Sequence, residues 1–268
     1  MPLGKATDTP AHYDPGLLYP ISRAEGRAQL SLIPGETLPF WGEDLWNAYE
    51  VSWLDESGKP EVAMMTFRVP ATSPFLVESK SLKLYLNSFN MTSFAAREAV
   101  TDTVEYDLSQ ATGMPVGVTL RTPERFGELQ RGAPAGKALD QVAPRLVGYT
   151  VDASGLSGGA SECSESWITQ LFRSVCPVTG QPDWGTVRVS YTGPCIDPAG
   201  LLGYLISYRQ HAGFHENCVE RIFVDISDRC RPTQLTVAAR FTRRGGLDIN
   251  PIRASQPEAL DDIRDPRQ

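Results

Sequence analysis

Asp197-Pro198-Ala199-Gly200-Leu201-Leu202-Gly203-Tyr204-Leu205-Ile206-Ser207-Tyr208 is the stretch on which the reading of the fold turns. Asp197 is a capping residue followed by proline, and Leu201, Leu202, Leu205 and Ile206 then form one apolar helical stripe. A shift of 119 positions lays the residues from Glu78 onward over it. Glu78 falls on Asp197, Leu82 on Leu201, Tyr85 on Tyr204, Leu86 on Leu205, Ser88 on Ser207 and Phe89 on Tyr208. Taken alone, residues 78–90 fit a strand by alternation and a helix by Leu82, Tyr85, Leu86 and Phe89. The second copy selects the helix, which places Glu78 at its start and Ser79 and Lys80 in its first turn.

Working outward, residues 49–54 and 62–69 read as strands around the turn formers Asp55-Glu56-Ser57-Gly58-Lys59-Pro60. Thr92 or Ser93 is the expected cap of a second helix that carries Val100, Val104 and Leu108 and ends near Gly113, before a strand at 116–121. The second half repeats the plan. Residues 165–175 and 186–191 read as strands, Val219, Ile222, Phe223 and Ile226 mark a helix, and 235–241 alternates as a strand. The expected organisation is an arm at 1–47, a first unit at 48–122, a Pro/Gly-rich linker at 123–145 and a second unit at 146–268.

The 268 residues carry 41% apolar and 21% charged side chains, enough for a proper core. Twenty-five basic groups against 32 acidic ones give a net charge of −7, and the longest basic cluster is Arg243-Arg244. Direct binding of nucleic acid is therefore not expected. No apolar segment is long enough to span a bilayer, and no secretory leader is visible. Five cysteines, an odd number without Cys-x-x-Cys spacing, suit a reducing compartment. The expectation is a cytoplasmic protein.

Candidate chemistry gathers in four places. In Ser174-Val175-Cys176-Pro177-Val178-Thr179-Gly180-Gln181-Pro182-Asp183-Trp184, a rigid turn can fold Asp183 back toward the Cys176 sulfur, as a nucleophile beside a proton carrier; a buried small hydrophobe and a turn former are the plainer alternative. In Phe214-His215-Glu216-Asn217-Cys218, His215 can move protons and Glu216 can accept a bidentate pair of N–H donors, or Glu216 merely complements a helix dipole. A metal held by His211, His215 and Cys218 lacks a second cysteine cluster, and none is expected. Glu78-Ser79-Lys80 stands at a helix start that favours anions, and Arg243-Arg244-Gly245-Gly246 can hold a phosphate or simply end a hairpin. No Gly-x-Gly-x-x-Gly follows a strand, so a Rossmann cofactor site is not supported.

Together, Glu78-Ser79-Lys80-Ser81-Leu82-Lys83-Leu84-Tyr85, Cys176-Pro177-Val178-Thr179-Gly180-Gln181-Pro182-Asp183-Trp184, Phe214-His215-Glu216-Asn217-Cys218 and Arg243-Arg244-Gly245-Gly246 resemble the NADPH-dependent 7-cyano-7-deazaguanine reductases of queuosine biosynthesis, in their long two-module form. The resemblance implies an α+β tunnelling fold: two tandem ββααββ-like modules, with an antiparallel sheet and helices on one face. It further implies that Cys176 attacks a nitrile to give a thioimide, that Asp183 and His215 handle protons, and that two NADPH supply hydride. Val77, Glu78, Ser79, His215 and Glu216 would bind the deazapurine, and Ser79, Lys80, Arg244 and Gly245 the NADPH, with no metal. Glu78 lies in the first copy and Cys176 in the second, so the site should form where modules meet, within one chain or between two, and closure of the barrel implies a homodimer. Cys218, three residues beyond His215, leaves open whether it pairs with Cys176 in a protective disulfide. Zinc-dependent pterin-forming cyclohydrolases share the tunnelling fold and are the rival reading; a binding module without catalysis is another.

Overall fold

The computed structural model describes residues 10, 12–30, 32, 36–129, 131–132, 135–146, 148–258 and 263–268. The chain runs β1 (Pro20–Ser22), α1 (Arg23–Ala28), β2 (Trp41–Leu54), β3 (Pro60–Pro70), β4 (Phe75–Val77), α2 (Ser79–Asn87), α3 (Arg97–Thr112) and β5 (Gly117–Arg121). It continues through β6 (Lys137–Ala138), β7 (Gly158–Val175), β8 (Pro182–Ile196), α4 (Pro198–Ser207), α5 (His215–Cys230), β9 (Gln234–Phe241) and β10 (Leu247–Ala254). Eight strands make one sheet in the order β5-β3-β2-β10-β9-β8-β7-β6, antiparallel except between β6 and β7. Strands β1 and β4 form a separate antiparallel pair.

Two apolar cores lie under this sheet. Alternate residues Trp46, Trp53, Met65 and Phe67 of β2 and β3 meet Leu82, Tyr85, Leu86, Val100, Val104 and Leu108 of α2 and α3. In the second half Val187, Val189, Val237 and Phe241 meet Leu201, Leu205, Val219, Ile222 and Phe223. Each buried aliphatic or aromatic side chain contributes about 1.5–3 kcal/mol, which fixes the strand register because a one-residue slip would turn the whole set outward.

The contacts of α2 recur 119 positions later in α4. Ser88 Oγ donates to the Tyr85 carbonyl and Ser207 Oγ to that of Tyr204, both at 2.6 Å. The Tyr85 hydroxyl donates to Asp107 and the Tyr204 hydroxyl to Asp225, again both at 2.6 Å. Glu78 and Asp197 are both N-caps whose carboxylates accept helix N–H groups.

Several boundaries differ from the sequence expectation. Strand β2 begins at Trp41, inside the expected arm, because its first eight residues pair with β10. That partner is hard to see in sequence, and Gly42, Glu43, Asp44 and Asn47 break the apolar alternation of the strand itself. The arm also holds β1 and the six-residue α1. The expected linker is not free: β6 pairs with β7, and Leu139 is buried in the second core. Strands β7 and β8 extend beyond their apolar alternation through polar cross-strand pairs, Ser164 with Thr192 at 3.1 Å and Ser166 with Ser190 at 2.9 Å. Ala96, not Thr92 or Ser93, precedes α3, since those hydroxyls donate to the carbonyls of Ser88 and Asp55. Among the described residues no helix is long and apolar enough to cross a membrane.

Candidate active site

Residues 176–181 are the loop between β7 and β8, with Ser174 paired to Asp183 across the hairpin. The Cys176 N–H donates to the Gln181 carbonyl at 2.8 Å and the Gly180 N–H to the Cys176 carbonyl at 2.9 Å. Gly180 sits at φ +70°, a conformation that a side chain would strain. The Val175 N–H donates to the His211 carbonyl at 2.8 Å and the Gly213 N–H to the Val175 carbonyl at 3.1 Å, so the hairpin is stitched to the segment that starts α5. This stitching brings Cys176 and Asp183 beside His215 and Glu216. All four are buried, at 8%, 4%, 7% and 2% exposure.

They open onto one cavity of about 340 Å³, part of it open to solvent, to which Pro177, Phe214 and Arg244 also contribute. Its other wall comes from the first half of the chain: Val77, Glu78 and Ser79, with Trp46 and Leu76, while Ile249 of β10 closes it. A single chain therefore supplies both walls. Of the residues expected at the site, Lys80 and Gly245 are the two that do not line this cavity; both are exposed beside it. His211, half buried, lines a neighbouring groove with α1. Trp46, Leu76 and Ile249 were not foreseen, since an apolar strand residue gives no signal of facing a cavity rather than a core.

Asp183 stands between two cations or potential cations: Arg244 Nη2 at 2.9 Å from Oδ1 and His215 Nε2 at 3.4 Å from Oδ2. The His215 ring stacks on Phe241 with centroids 3.8 Å apart and planes 12° from parallel, which fixes its orientation. Burial pushes the Cys176 thiol up, but hydrogen bonds from Thr179 and Arg244 and from the backbone at Thr179 and Val178 outweigh it and hold the thiol below its ordinary value. Cys218 is fully buried and pushed up to about 12, chiefly by that burial, so it is a poor nucleophile. Burial and the neighbouring Asp44 raise Glu216 to about 7, against the opposing pull of His215 and Arg23.

Three polar groups remain unsatisfied in this buried place: both ring nitrogens of His215 and Oε1 of Glu216 have no hydrogen-bond partner among the described residues. Leaving such groups unpaired is costly, which is the condition of a pocket whose missing partners belong to a ligand. Glu78 accepts from the Lys80 N–H at 2.9 Å and the Ser81 N–H at 2.7 Å, and each of its oxygens keeps a lone pair for the cavity. The arrangement joins a cysteine held toward its thiolate, an aspartate–histidine pair chemically able to exchange protons, and two carboxylates with lone pairs free to accept.

Residues 9–120 match the family described as nitrile reductase, 7-cyano-7-deazaguanine-reductase N-term, and residues 182–259 match that described as QueF-like protein. The NADPH-dependent 7-cyano-7-deazaguanine reductase of Desulfotalea psychrophila is 51% identical over all of this chain and 97% of its own length. Those of Bordetella parapertussis and Burkholderia ambifaria are 54% and 53% identical, over all of this chain and 98% of theirs. A crystal structure of the archaeosine synthase QueF-Like in the apo form matches 38% of this chain and 99% of its own at 18% identity, with a TM-score of 0.32. With full-length identity above one half, and with the quoted motifs gathered at one cavity, the chain belongs to the family of NADPH-dependent 7-cyano-7-deazaguanine reductases.

Proposed function

We propose that the chain reduces the nitrile of 7-cyano-7-deazaguanine to the primary amine, 7-aminomethyl-7-deazaguanine, through a thioimide on Cys176, consuming two NADPH in queuosine biosynthesis. The observation that carries this reading is the convergence of Cys176, Asp183 and His215 with Glu78 and Glu216 on one buried cavity. The tandem recurrence of α2 contacts in α4 supports two tunnelling-fold modules sharing the sheet.

Glu78 and Glu216 accept the 2-amino and ring N–H donors of the base, and Val77 and Ser79 complete its pocket. A base without those donors would leave buried carboxylates unpaired and be rejected. The Cys176 thiolate adds to the nitrile carbon: the S–C bond forms, one π bond of the nitrile breaks and its nitrogen takes a proton from the Asp183–His215 pair. NADPH supplies hydride when bound. With hydride so supplied twice, the C–S bond would break between the two reductions with Cys176 leaving as thiolate, and the Asp183–His215 pair would give the second proton that completes the amine. The balance is one nitrile, two NADPH and two protons to one amine and two NADP⁺.

The residues assigned to the cofactor fit it in place and chemistry. Ser79 and Arg244 line the cavity while Lys80 and Gly245 lie exposed outside it, as suits a molecule whose reactive end enters and whose phosphates stay outside. A Cβ built on Gly245 would meet nothing within 4 Å, so backbone there is open to a phosphate. On one side the sheet ends in β6, which pairs with β7 only at Trp167 and Ile168, and residues 158–165 of that 18-residue strand keep no strand neighbour on that side among the described residues, an edge that suits pairing with a second copy in a homodimer. Mixing the protein with 7-cyano-7-deazaguanine and NADPH should consume two NADPH per amine, and Cys176→Ala should bind substrate without turnover. No loss of cofactor absorbance with the wild-type protein would refute the assignment.

A further inference from the structure

Beside Glu216 lies a buried charge cluster that the reaction described above leaves without a role. Arg23 and Arg27 come to it from α1, Arg253 from β10, Asp44 from β2 and Glu220 from α5, and all five are buried. Arg23 Nη2 is 2.5 Å from Asp44 Oδ2, and Arg23 Nε donates to Ser73 Oγ at 3.1 Å. Arg253 reaches both Asp44 and Glu220 at 2.9 Å, and Arg27 Nη2 reaches Glu220 at 2.7 Å. Although burial opposes ionisation of both acids, the arginines hold Asp44 and Glu220 below the usual carboxylate range, so both are charged.

Three cations against two anions leave one positive charge in excess, which is unfavourable in a buried place without a further counter-charge. Glu216 stands one turn before Glu220 on the same face of α5. Its Oε1 has no hydrogen-bond partner among the described residues, and neither does Nη1 of Arg23, which lies 3.9 Å from Glu220 Oε1. With Glu216 ionised the cluster is neutral.

We propose that Arg23 is a positioning residue for substrate, supplying counter-charge that offsets part of the cost of ionising Glu216 in its buried pocket, so that Glu216 can accept the ring-edge donors of the deazaguanine. This rests on the substrate assignment above. It gives α1 a functional part: the segment ahead of β2 sets the charge of a group that touches substrate. Glu216 is faced by Arg23 on α1, Asp44 on β2, His215 on its own helix and, across the cavity, Glu78, Asp183 and Arg244. Arg23 favours the ionised form and Asp44 opposes it, so removing each should act in opposite directions.

The test measures binding of 7-cyano-7-deazaguanine to the full chain carrying Cys176→Ala, as a function of pH, by tryptophan fluorescence, since Trp46 lines the cavity. Affinity should rise with pH through a midpoint near 7, where Glu216 ionises. Adding Arg23→Met should move the midpoint up, each pH unit reading as about tenfold weaker binding below it. Adding Asp44→Asn should move it down, and Arg23→Lys, which keeps the charge, should leave it near the parent value. Loss of packing alone would lower the melting temperature of both charge-removing variants without driving their midpoints apart. An unmoved midpoint in Arg23→Met, or one that shifts the same way as Asp44→Asn, overturns the inference; if Arg23→Met does not fold, an unmoved midpoint in Asp44→Asn does so. Absence of binding by the parent protein at every pH would instead remove the substrate assignment, and this inference with it.

Discussion

Replacing Arg244 with methionine should raise the pH at which Cys176 becomes a thiolate and slow its alkylation. The Arg244 side chain is 33% exposed, sits 2.9 Å from Asp183 and hydrogen-bonds the Cys176 sulfur. Burial of Cys176 works against ionisation, and this bond is among those that overcome it. A hydrogen bond to a charged group contributes about 1.5–3 kcal/mol, and solvent screening of a partly exposed guanidinium points to the lower end. Roughly 1.4 kcal/mol corresponds to one pH unit, so the thiolate fraction below the midpoint should fall about tenfold. The sign follows from what is lost: a partner of the charged form disappears and Asp183 keeps only His215 beside it, both of which favour the neutral thiol. The assay is the rate of iodoacetamide alkylation against pH, with peptide mapping to isolate Cys176 from the other four cysteines. Cys218 and Cys230, buried and pushed up to about 12 and about 11, should lag behind. Arg244→Lys should fall between. Equal midpoints for Arg244→Met and wild type would mean that the hairpin and Thr179 alone set the thiol, and the reasoning would be refuted.

Glu216→Gln should stabilise the protein at high pH. Its folded value is raised from 4.5 to about 7, so the native state holds the proton more tightly and wild-type stability falls as pH rises through that window, by roughly 3 kcal/mol in all. Melting curves should therefore diverge between roughly pH 5 and 7 and run parallel above; parallel behaviour throughout would contradict the raised value. Glu78→Ala should abolish substrate binding and remove the cap of α2, costing about 1 kcal/mol in denaturant unfolding, while Cys176 alkylation stays at the wild-type rate. A fall in thiol reactivity would show that the two walls of the cavity are not independent. Tyr85→Phe and Tyr204→Phe should each cost about 1–2 kcal/mol, because each removes a hydroxyl bonded to a carboxylate at 2.6 Å. Asp107 keeps the Tyr13 hydroxyl at 2.7 Å, so the first loss should be the smaller, and denaturant midpoints give the order.

What was legible in the sequence had either a period or a motif. The helices α4 and α5 declare themselves by apolar stripes, α2 by its match to α4, and the cavity's polar residues sit in short runs. The illegible parts share a different feature: they are buried through polar groups. Strand β10, Leu-Asp-Ile-Asn-Pro-Ile-Arg-Ala, is buried at every position yet carries Asp248, Asn250 and Arg253. Asp248 accepts from Asn47 and Tyr49, Asn250 donates to the Leu45 carbonyl, and Arg253 joins the ion cluster. No hydrophobic pattern reports such a strand, although it joins the two halves of the sheet by pairing with both β2 and β9. Helix α1 is hidden for the same reason: of its six residues the buried ones are Arg23 and Arg27.

The two helix starts that correspond under the 119-position shift differ in their surroundings, and the first of them lines the cavity. Both Glu78 and Asp197 cap their helices, and either carboxylate could in principle meet a ligand. At the second, Pro198 removes one helix N–H, Asp197 is paired with Arg145 at 3.0 Å, and the first turn is sealed: a Cβ on Gly200 would lie 2.2 Å from the Gly155 carbonyl. At the first, the longer Glu78 caps the helix and still borders the cavity, and Ser79 beside it is half-buried there. The hairpin that carries Cys176 exists only in the second copy, since residues 55–59 make a tight exposed turn around Asp55 in the first. Each half of the chain thus supplies a different wall of the cavity. Strand β10, paired with β2 on one side and β9 on the other, joins the two halves so that the cavity has Glu78 on one wall and Cys176 on the other.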